Sequence, residues 1–227
     1  MSWILNIDSS LETAFVSVSK DGKIMACRSN ADQKDHASFL EPAIQALLKE
    51  TGIEPDDLSA VAVVSGPGSY TGLRVGMASA KGLCYALNKP LILLNNLELL
   101  SIGAIGEYKP TDANTLFCPM IDARRMEVFT AVYDQHLNII EPPHSLVLQP
   151  LSYNDLLKEN TVVFFGNGTA KWNSICSDKN ARFIGVNDKN DVVSQSSFQK
   201  LVTQSFNSVA YAQPLYIKEF YSTQSPS

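Results

Sequence analysis

The order of apolar segments in this 227-residue chain predicts an α/β fold of two lobes, each a mixed sheet flanked by helices. Three observations lead to this prediction. An antiparallel meander of three strands comes first, two further strands then alternate with helices, and a weaker pattern of the same kind restarts after residue 110. We expect a first lobe of residues 1–110, a smaller second lobe of residues 111–221, and a polar tail of residues 222–227.

The meander is predicted over residues 3–8, 13–19 and 23–28. Residues 13–19 alternate strictly between two faces, as a half-buried strand does, and Asp21-Gly22 is a typical hairpin turn. A helix over residues 36–50 follows, because its apolar side chains repeat at helical spacing. Its start is ambiguous: Ser38 and Glu41 fit a capping box, although the helix could also begin at Asp35 or His36.

The rest of the first lobe alternates strands and helices. Strands are predicted at residues 60–65 and 91–94, and helices at residues 73–88 and 98–108. The resulting order, βββαβαβα, is that of the ribonuclease-H-like topology, which is the half-unit of actin-like and sugar-kinase-like proteins.

The second half repeats this order in weaker form. Strands are predicted at residues 116–121, 127–133 and 161–165, with helices at residues 153–158 and 196–206. Pro142-Pro143 is placed in a loop.

Composition excludes several classes of protein. The net charge is −5 and no run of Lys or Arg occurs, so the chain is not expected to bind nucleic acid by itself through many phosphate contacts. The four cysteines are far apart and form no CxxC, which disfavours zinc and redox motifs. The apolar start is broken at Asn6 and Asp8, unlike a signal peptide, and no segment is long enough to span a bilayer. We therefore expect a cytoplasmic protein without membrane contact.

Two polar segments form a candidate crevice for a nucleotide or phosphate. Asp8 ends the first strand and Ser9 follows it, a position where a carboxylate could orient a metal or phosphate or simply close a turn. The loop of residues 66–72 joins a buried strand to a helix start, which suits an anion but equally suits a tight turn. It is not a Walker A loop. A nuclease is disfavoured because the neighbouring strand end offers no second carboxylate. The candidate residues are Asp8, Ser9, Gly66, Gly68, Ser69 and Thr71.

Two other segments have open interpretations. Gly72, Gly76, Ala80 and Cys84 recur every four residues, which makes a narrow helix face that could pack on this lobe's own sheet or on another subunit. The turn carrying Asp122, Arg124, Arg125 and Glu127 is either a solvated hairpin or a mutual ion-pair network or interface.

Taken together, these segments resemble one family. Residues 4–10, 36–48, 65–76, 121–129, 165–168 and 214–218 are similar to those of the TsaB (YeaZ) family, a bacterial subunit for threonylcarbamoyladenosine biosynthesis on tRNA. The Gly-Pro-Gly-Ser-Tyr-Thr-Gly-Leu-Arg loop and the Asp-Ala-Arg-Arg turn are the most specific of these stretches. The resemblance covers almost the whole chain and implies an actin-like fold.

The same superfamily contains TsaD, the catalytic paralogue, which carries an HxxxH metal motif. By alignment, Asn96 and Leu100 stand in the two histidine positions of this chain. Asparagine is a poor ligand for a transition metal and leucine cannot be one. The resemblance therefore implies a non-catalytic subunit without a metal and without a required cofactor, although weak nucleotide binding stays open.

The resemblance also implies partners. A TsaD-like catalytic subunit would bind through helices of the first lobe, a TsaE-like ATPase would join them, tRNA would be reached only through the complex, and the chain alone would form a homodimer. On that view Gly76→Arg abolishes partner binding and leaves the monomer folded. The alternative is a stand-alone nucleotide-binding phosphotransferase of the actin-like fold, based on Asp8 and the glycine loop. The interface is predicted at His36, Leu40, Ile44, Leu73, Gly76, Met77, Ala80, Leu83, Cys84 and Leu87.

Overall fold

Two five-stranded mixed sheets form the framework of the chain in a computed structural model that describes residues 1–32, 35–110, 112, 114–185 and 189–218. The predicted polar tail of residues 222–227 lies outside the described residues. Helices flank both sheets, so the predicted fold class is confirmed. Among the residues described, no helix combines the length and the apolar character needed to cross a bilayer.

The first sheet has the strand order β3-β2-β1-β4-β5. The meander β1–β3 is antiparallel, whereas β4 pairs parallel with β1, and β5 pairs parallel with β4. Every residue of β4 except one is buried, as expected for a strand covered on both faces. The strands are β1 (Trp3–Asp8), β2 (Ala14–Lys20), β3 (Lys23–Asn30), β4 (Leu58–Gly66) and β5 (Leu91–Asn95).

Three helices belong to this half of the chain: α1 (His36–Thr51), α2 (Tyr70–Leu87) and α3 (Asn96–Tyr108). The first helix begins at His36, so the capping box proposed at Ser38 and Glu41 is wrong. His36 is buried, and its Nε2 atom lies 3.2 Å from the carbonyl oxygen of Glu12, which ties the first turn of the helix to the chain after β1.

The second sheet repeats the topology of the first. Its order, β10-β9-β6-β7-β8, places one central strand between an antiparallel pair and two parallel strands, as in the first sheet. Its first two helices are much shorter than α1 and α2. The elements are β6 (Thr115–Asp122), β7 (Glu127–Tyr133), β8 (Ile139–Val147), α4 (Asn154–Glu159), β9 (Thr161–Phe165), α5 (Thr169–Asn173), β10 (Ala181–Phe183) and α6 (Asn190–Val202).

The structure corrects two predictions in this half. Pro142 and Pro143 lie inside β8 and not in a loop. Proline has no N–H to donate to a neighbouring strand, but β8 is an edge strand with a neighbour on one side only, so it tolerates both prolines. The last helix begins six residues before the predicted residue 196. Its buried face contains Ser194 and Ser197, and these polar residues hid the helical pattern.

The third helix of each half lies between the two sheets. Helix α3 packs against β6, while α6 packs on the first sheet and contacts α3. The chain after Lys189 therefore returns to the first sheet, while the predicted lobe boundaries stay a prediction. On α3, Leu97, Leu100 and Ala104 pack with Phe117 and Ile121 of β6. On α6, Val193 packs with Ile4, Ala62 and Val64 of the first sheet.

Helix α2 packs unusually close to the end of β1. A Cβ atom on Gly72 would lie 1.9 Å from the Ser9 carbonyl oxygen, and one on Gly76 would lie 2.5 Å from Ser9 Oγ. The Ser9 hydroxyl donates to the Gly72 carbonyl over 2.7 Å. The small residues of α2 thus allow contact with this lobe's own sheet, which decides between the two interpretations of that helix face.

Replacing Gly72 by alanine is expected to destabilise the fold by about 3 kcal/mol, because the new methyl group would overlap the backbone of Ser9. Gly82→Ala in the same helix is the matched control. Nothing lies within 4 Å of its Cβ position, so the better helix propensity of alanine should raise stability by about 0.8 kcal/mol. Urea unfolding followed by circular dichroism measures both. Similar effects at the two positions would contradict the close packing.

Candidate functional site

A cleft of about 640 Å³ opens between the turn after β1 and the second lobe. Asp8 and Lys189 lie on its lining, where they bring the end of the central strand to the start of α6. Of the six residues of the crevice predicted from the sequence, Asp8 lines this cleft. Further lining residues are Leu11, Glu12 and Thr13 on the first-lobe side and Gly166, Asn167 and Thr169 on the second-lobe side.

Asp8 is paired with a cation from its own chain. Its carboxylate is 2% exposed, and Lys189 Nζ lies 2.7 Å from Asp8 Oδ2. The backbone amide and the hydroxyl of Ser10 both donate to Asp8 Oδ1, over 2.9 Å and 2.6 Å. Both carboxylate oxygens are therefore engaged, and the ammonium of Lys189 stands where a carboxylate in this position would meet a metal ion or a cationic ligand.

Asn96 extends this contact to the start of α3. Its amide oxygen accepts a hydrogen bond from Lys189 Nζ over 2.6 Å. Its amide nitrogen donates to Ser10 Oγ over 2.9 Å and to the Pro67 carbonyl over 3.0 Å. The four side chains Asp8, Ser10, Asn96 and Lys189, called here the Asp8 network, join β1, the glycine loop, α3 and α6.

The charge of Asp8 is maintained by this network. Burial acts to raise the pKa of Asp8, but the attraction of Lys189 and the hydrogen bonds from Lys189 and Ser10 outweigh it, so the pKa lies below the ordinary value of 3.8. The carboxylate is therefore ionised at neutral pH and neutralised by the lysine.

The glycine loop is filled by the turn after β1. The Ser69 amide donates to the Ser10 carbonyl over 2.7 Å, and a Cβ on Gly68 would lie 2.1 Å from that same oxygen. A Cβ on Gly66, whose φ is +125°, would lie 2.9 Å from the carbonyl of Leu215. The glycines thus accommodate protein backbone, and the approach that a phosphate would need is taken by Ser10.

The six predicted crevice residues are not brought together around the cleft. Asp8 lines it, whereas Ser9 is buried beneath α2. Ser69 caps α2 by accepting from the Gly72 amide, and Thr71 is exposed on that helix. Gly66 and Gly68 contact the chain's own backbone, as described above.

The residues at the expected metal positions do not fit a metal ion. The oxygen of Asn96 already accepts from an ammonium, and Leu100 is an apolar side chain, 7% exposed, in the core around α3. Within the described ranges, no three His, Cys, Asp or Glu side chains converge.

The predicted interface residues lie in or against the first lobe's core in this structure, so a contact of their side chains with a partner stays a prediction. Leu83 and Leu87 are partly buried against that core, and the other eight are buried. The apolar stripes of α1 and α2 are what holds these helices on their sheet. Gly76→Arg is therefore expected to disrupt the fold itself. The buried residues are His36, Leu40, Ile44, Leu73, Gly76, Met77, Ala80 and Cys84.

The charged turn between β6 and β7 does not form a mutual ion-pair network. Asp122 pairs with Lys171 over 2.7 Å, and Glu127 pairs with Lys218 over 2.6 Å. Arg124 and Arg125 are exposed, with left-handed φ angles of 70° and 50°. The turn is attached to the cleft wall, because the Asp122 amide donates to Asn167 Oδ1 over 2.9 Å.

Sequence reasoning missed Lys189, the cation of the Asp8 network. The only available signal was indirect: a buried carboxylate needs a counter-charge, but nothing in the sequence says which lysine supplies it. The sequence indicated only that Asn96 stands at a histidine position of the metal motif. Its hydrogen bonds to Ser10 and Lys189 are known only from the folded structure.

Comparisons with known proteins agree on one family. The family model described as TsaD, tRNA N6-adenosine threonylcarbamoyltransferase, matches residues 29–213. The Bacillus subtilis protein named tRNA threonylcarbamoyladenosine biosynthesis protein TsaB is 32% identical over 180 residues, which are 77% of this chain and 75% of that protein. The Escherichia coli protein of the same name is 32% identical over 60% of this chain and 56% of its own length.

Solved structures extend the likeness to the fold. YeaZ from Pseudomonas aeruginosa superposes with a TM-score of 0.72 at 23% identity and covers 95% of this chain and 100% of its own. A putative N-acetylmannosamine kinase from Listeria monocytogenes has a TM-score of 0.53 at 10% identity and covers 89% of this chain and 99% of its own. These two likenesses show a shared architecture.

Lys189→Gln is expected to destabilise the chain by about 3–5 kcal/mol near pH 7, because the Asp8 carboxylate would remain buried without its counter-charge. The difference from wild type should shrink as the pH falls. In the wild type, the lowered pKa of Asp8 contributes stability that is lost below 3.8, whereas in the variant burial raises the pKa and protonation relieves the buried charge. Urea unfolding over a pH series measures this difference.

Lys158→Gln is the matched control for this experiment. Lys158 also lies 2.7 Å from a carboxylate, that of Asp155, but both side chains are largely exposed. Its loss should change stability little. Equal losses in the two variants would show that burial is not the source of the effect.

Proposed function

Because the chain belongs to the TsaB family, we propose that it is the partner subunit of the complex that installs the threonylcarbamoyl group on tRNA, and that it acts by binding a TsaD-like catalytic subunit. The proposal includes a TsaE-like ATPase in the complex, a homodimer when the chain is alone, and a cytoplasmic location. No cofactor is required by this chain.

The Asp8 network is the observation that supports a non-catalytic role. Lys189 neutralises the single carboxylate at the end of the central strand, and Ser10 occupies the glycine loop. A group that is fully hydrogen-bonded and paired in this way serves the fold, whereas a catalytic acid or base needs a free position towards its substrate. In the described part of the chain, the glycine loop contacts the backbone of Ser9 and Ser10, which supports a role in the fold.

The outer faces of α1 and α2 are the proposed contact with the catalytic subunit. Their apolar inner faces are committed to the core, but the outer face of α2 is almost uncharged and carries Ala78, Gly82 and Ala86 beside Tyr85, which is 85% exposed. Small residues allow a partner helix to approach closely, and an exposed aromatic ring offers a large apolar contact.

The alternative, a stand-alone nucleotide-binding phosphotransferase, is favoured by the open cleft of about 640 Å³, which has the volume of a ligand site. Calorimetric titration of the isolated chain with ATP separates the two functions. Tight binding with turnover would overturn the proposed non-catalytic role.

Asp8→Asn combined with Lys189→Gln is expected to leave modification by the reconstituted complex comparable with wild type. The double change removes the ion pair without leaving an uncompensated charge, so the fold should be retained. The measurement is threonylcarbamoylation of tRNA by the TsaD-like and TsaE-like subunits of the same organism, with and without this chain. A fall of about 10²-fold or more in a folded double variant would identify Asp8 as catalytic.

Gly82→Arg is expected to abolish co-elution with the TsaD-like subunit while the variant stays folded, because a Cβ at Gly82 meets nothing within 4 Å. Gly106→Arg in α3 is the matched control, since Gly106 is equally open and lies on another helix. Size-exclusion chromatography of the mixed subunits reports association, and thermal unfolding reports the fold. Normal association of Gly82→Arg would remove α2 from the interface.

A further inference from the structure

The turn between β6 and β7, residues 122–127, is called here the arginine hairpin. It presents Arg124 and Arg125, both exposed and both in the left-handed region with φ of 70° and 50°. Residues with a Cβ atom adopt this region at a cost, which glycine avoids and asparagine or aspartate reduce. Two successive arginines are therefore a poor choice for the turn alone, which points to a role for their side chains.

The acidic residues of the hairpin leave the arginines available. Asp122 is paired with Lys171 and Glu127 with Lys218, so both carboxylates already have a lysine counter-charge. With these lysines, the hairpin region carries four cationic and two anionic side chains. This local excess of positive charge lies on a chain whose net charge is −5.

The other arginines of the chain are engaged. Arg28 pairs with Glu50, Arg74 Nε donates to the Tyr216 hydroxyl over 3.2 Å, and Arg182 donates to backbone carbonyls. Across the described parts of the chain, the side chains of Arg124 and Arg125 form no hydrogen bond and no ion pair within 4.0 Å.

The hairpin stands on a rigid base beside the cleft. The Asp122 amide donates to Asn167, which lines the cleft, and a Cβ on Gly168 would lie 3.2 Å from the Asp122 nitrogen. Lys171 also donates to the Glu127 carbonyl over 3.0 Å, which closes the base of the hairpin. The two guanidinium groups are therefore carried by a fixed backbone.

From these observations we infer that Arg124 and Arg125 bind phosphate groups of an RNA backbone, which on the proposed function is the tRNA handled by the complex. A guanidinium group matches phosphate oxygens with paired hydrogen bonds and keeps its charge at any physiological pH. An acidic subunit repels a polyanion overall, so it needs a local cationic contact wherever RNA approaches it. The inference goes beyond the proposed function by adding a direct contact between this chain and RNA within the complex.

The test compares tRNA binding by complexes that contain wild-type chain or the variant Arg124→Asn with Arg125→Asn. Asparagine tolerates the left-handed region, so the hairpin is expected to fold, and Arg124→Gly with Arg125→Gly supplies a second variant with no cost in that region. The control is Lys158→Gln with Arg182→Gln, which removes two charges from exposed positions elsewhere. Filter binding of tRNA over a salt series gives the slope of log K against log salt.

The slope is expected to become shallower by about 1 for each arginine removed and to stay unchanged in the control. An unchanged slope in folded variants that still join the complex would overturn the inference. Loss of association with the catalytic subunit would also overturn it, because it would assign the arginines to an acidic protein surface. If the wild-type chain itself fails to join the complex, the proposed function fails. That result differs from an unchanged salt slope and from a loss of association seen only in the variants.

Discussion

A carboxylate buried at the end of the central strand imposes a requirement that the rest of the molecule meets. Asp8 is ionised in a place where water cannot solvate it, so a counter-charge and hydrogen-bond donors must come from the protein. Lys189 and Ser10 supply them, and Asn96 orients both. Meeting this requirement fixes where α6 begins, how the turn after β1 folds, and where α3 starts. The interior of the cleft is thus organised by charge neutralisation within one chain.

The turn that supplies Ser10 to Asp8 also contacts the glycine-rich loop. Glycines between a strand and a helix are usually associated with phosphate, because backbone can then approach the ligand closely. In this chain they allow an equally close approach of protein, since the backbone of Ser9 and Ser10 lies where side chains on Gly68 and Gly72 would be. The glycines of the loop therefore indicate that another group packs closely against its backbone, but they do not indicate whether that group is a ligand or protein.

The sequence predicted the fold where periodicity was clear and failed where polar residues interrupted it. Strands β1, β7 and β9 have the predicted bounds, and the antiparallel meander followed by parallel strands in the first sheet was predicted from element order. The position of α6 was wrong because Ser194 and Ser197 are buried, and β8 was missed because an edge strand can contain prolines. For the site, Asp8 was predicted from its place at the end of the first strand. Lys189 is 181 positions away along the chain, and only the folded topology brings the two together. Small residues on α2 indicated close packing correctly but could not say against what.

The exchange of α3 and α6 between the lobes has a consequence for how the chain acquires its structure. One face of the first sheet, with Ile4, Ala62 and Val64, is covered by α6, which is synthesised after the strands β1–β10. Until residues 190–202 have left the ribosome, that face stays open, and the Asp8 carboxylate has no lysine beside it. All five strands of the first sheet are therefore synthesised well before the helix that covers one of its faces. This apolar face is exposed to aggregation or to chaperones during that interval, and the packing of the first lobe is completed only when α6 reaches the first sheet.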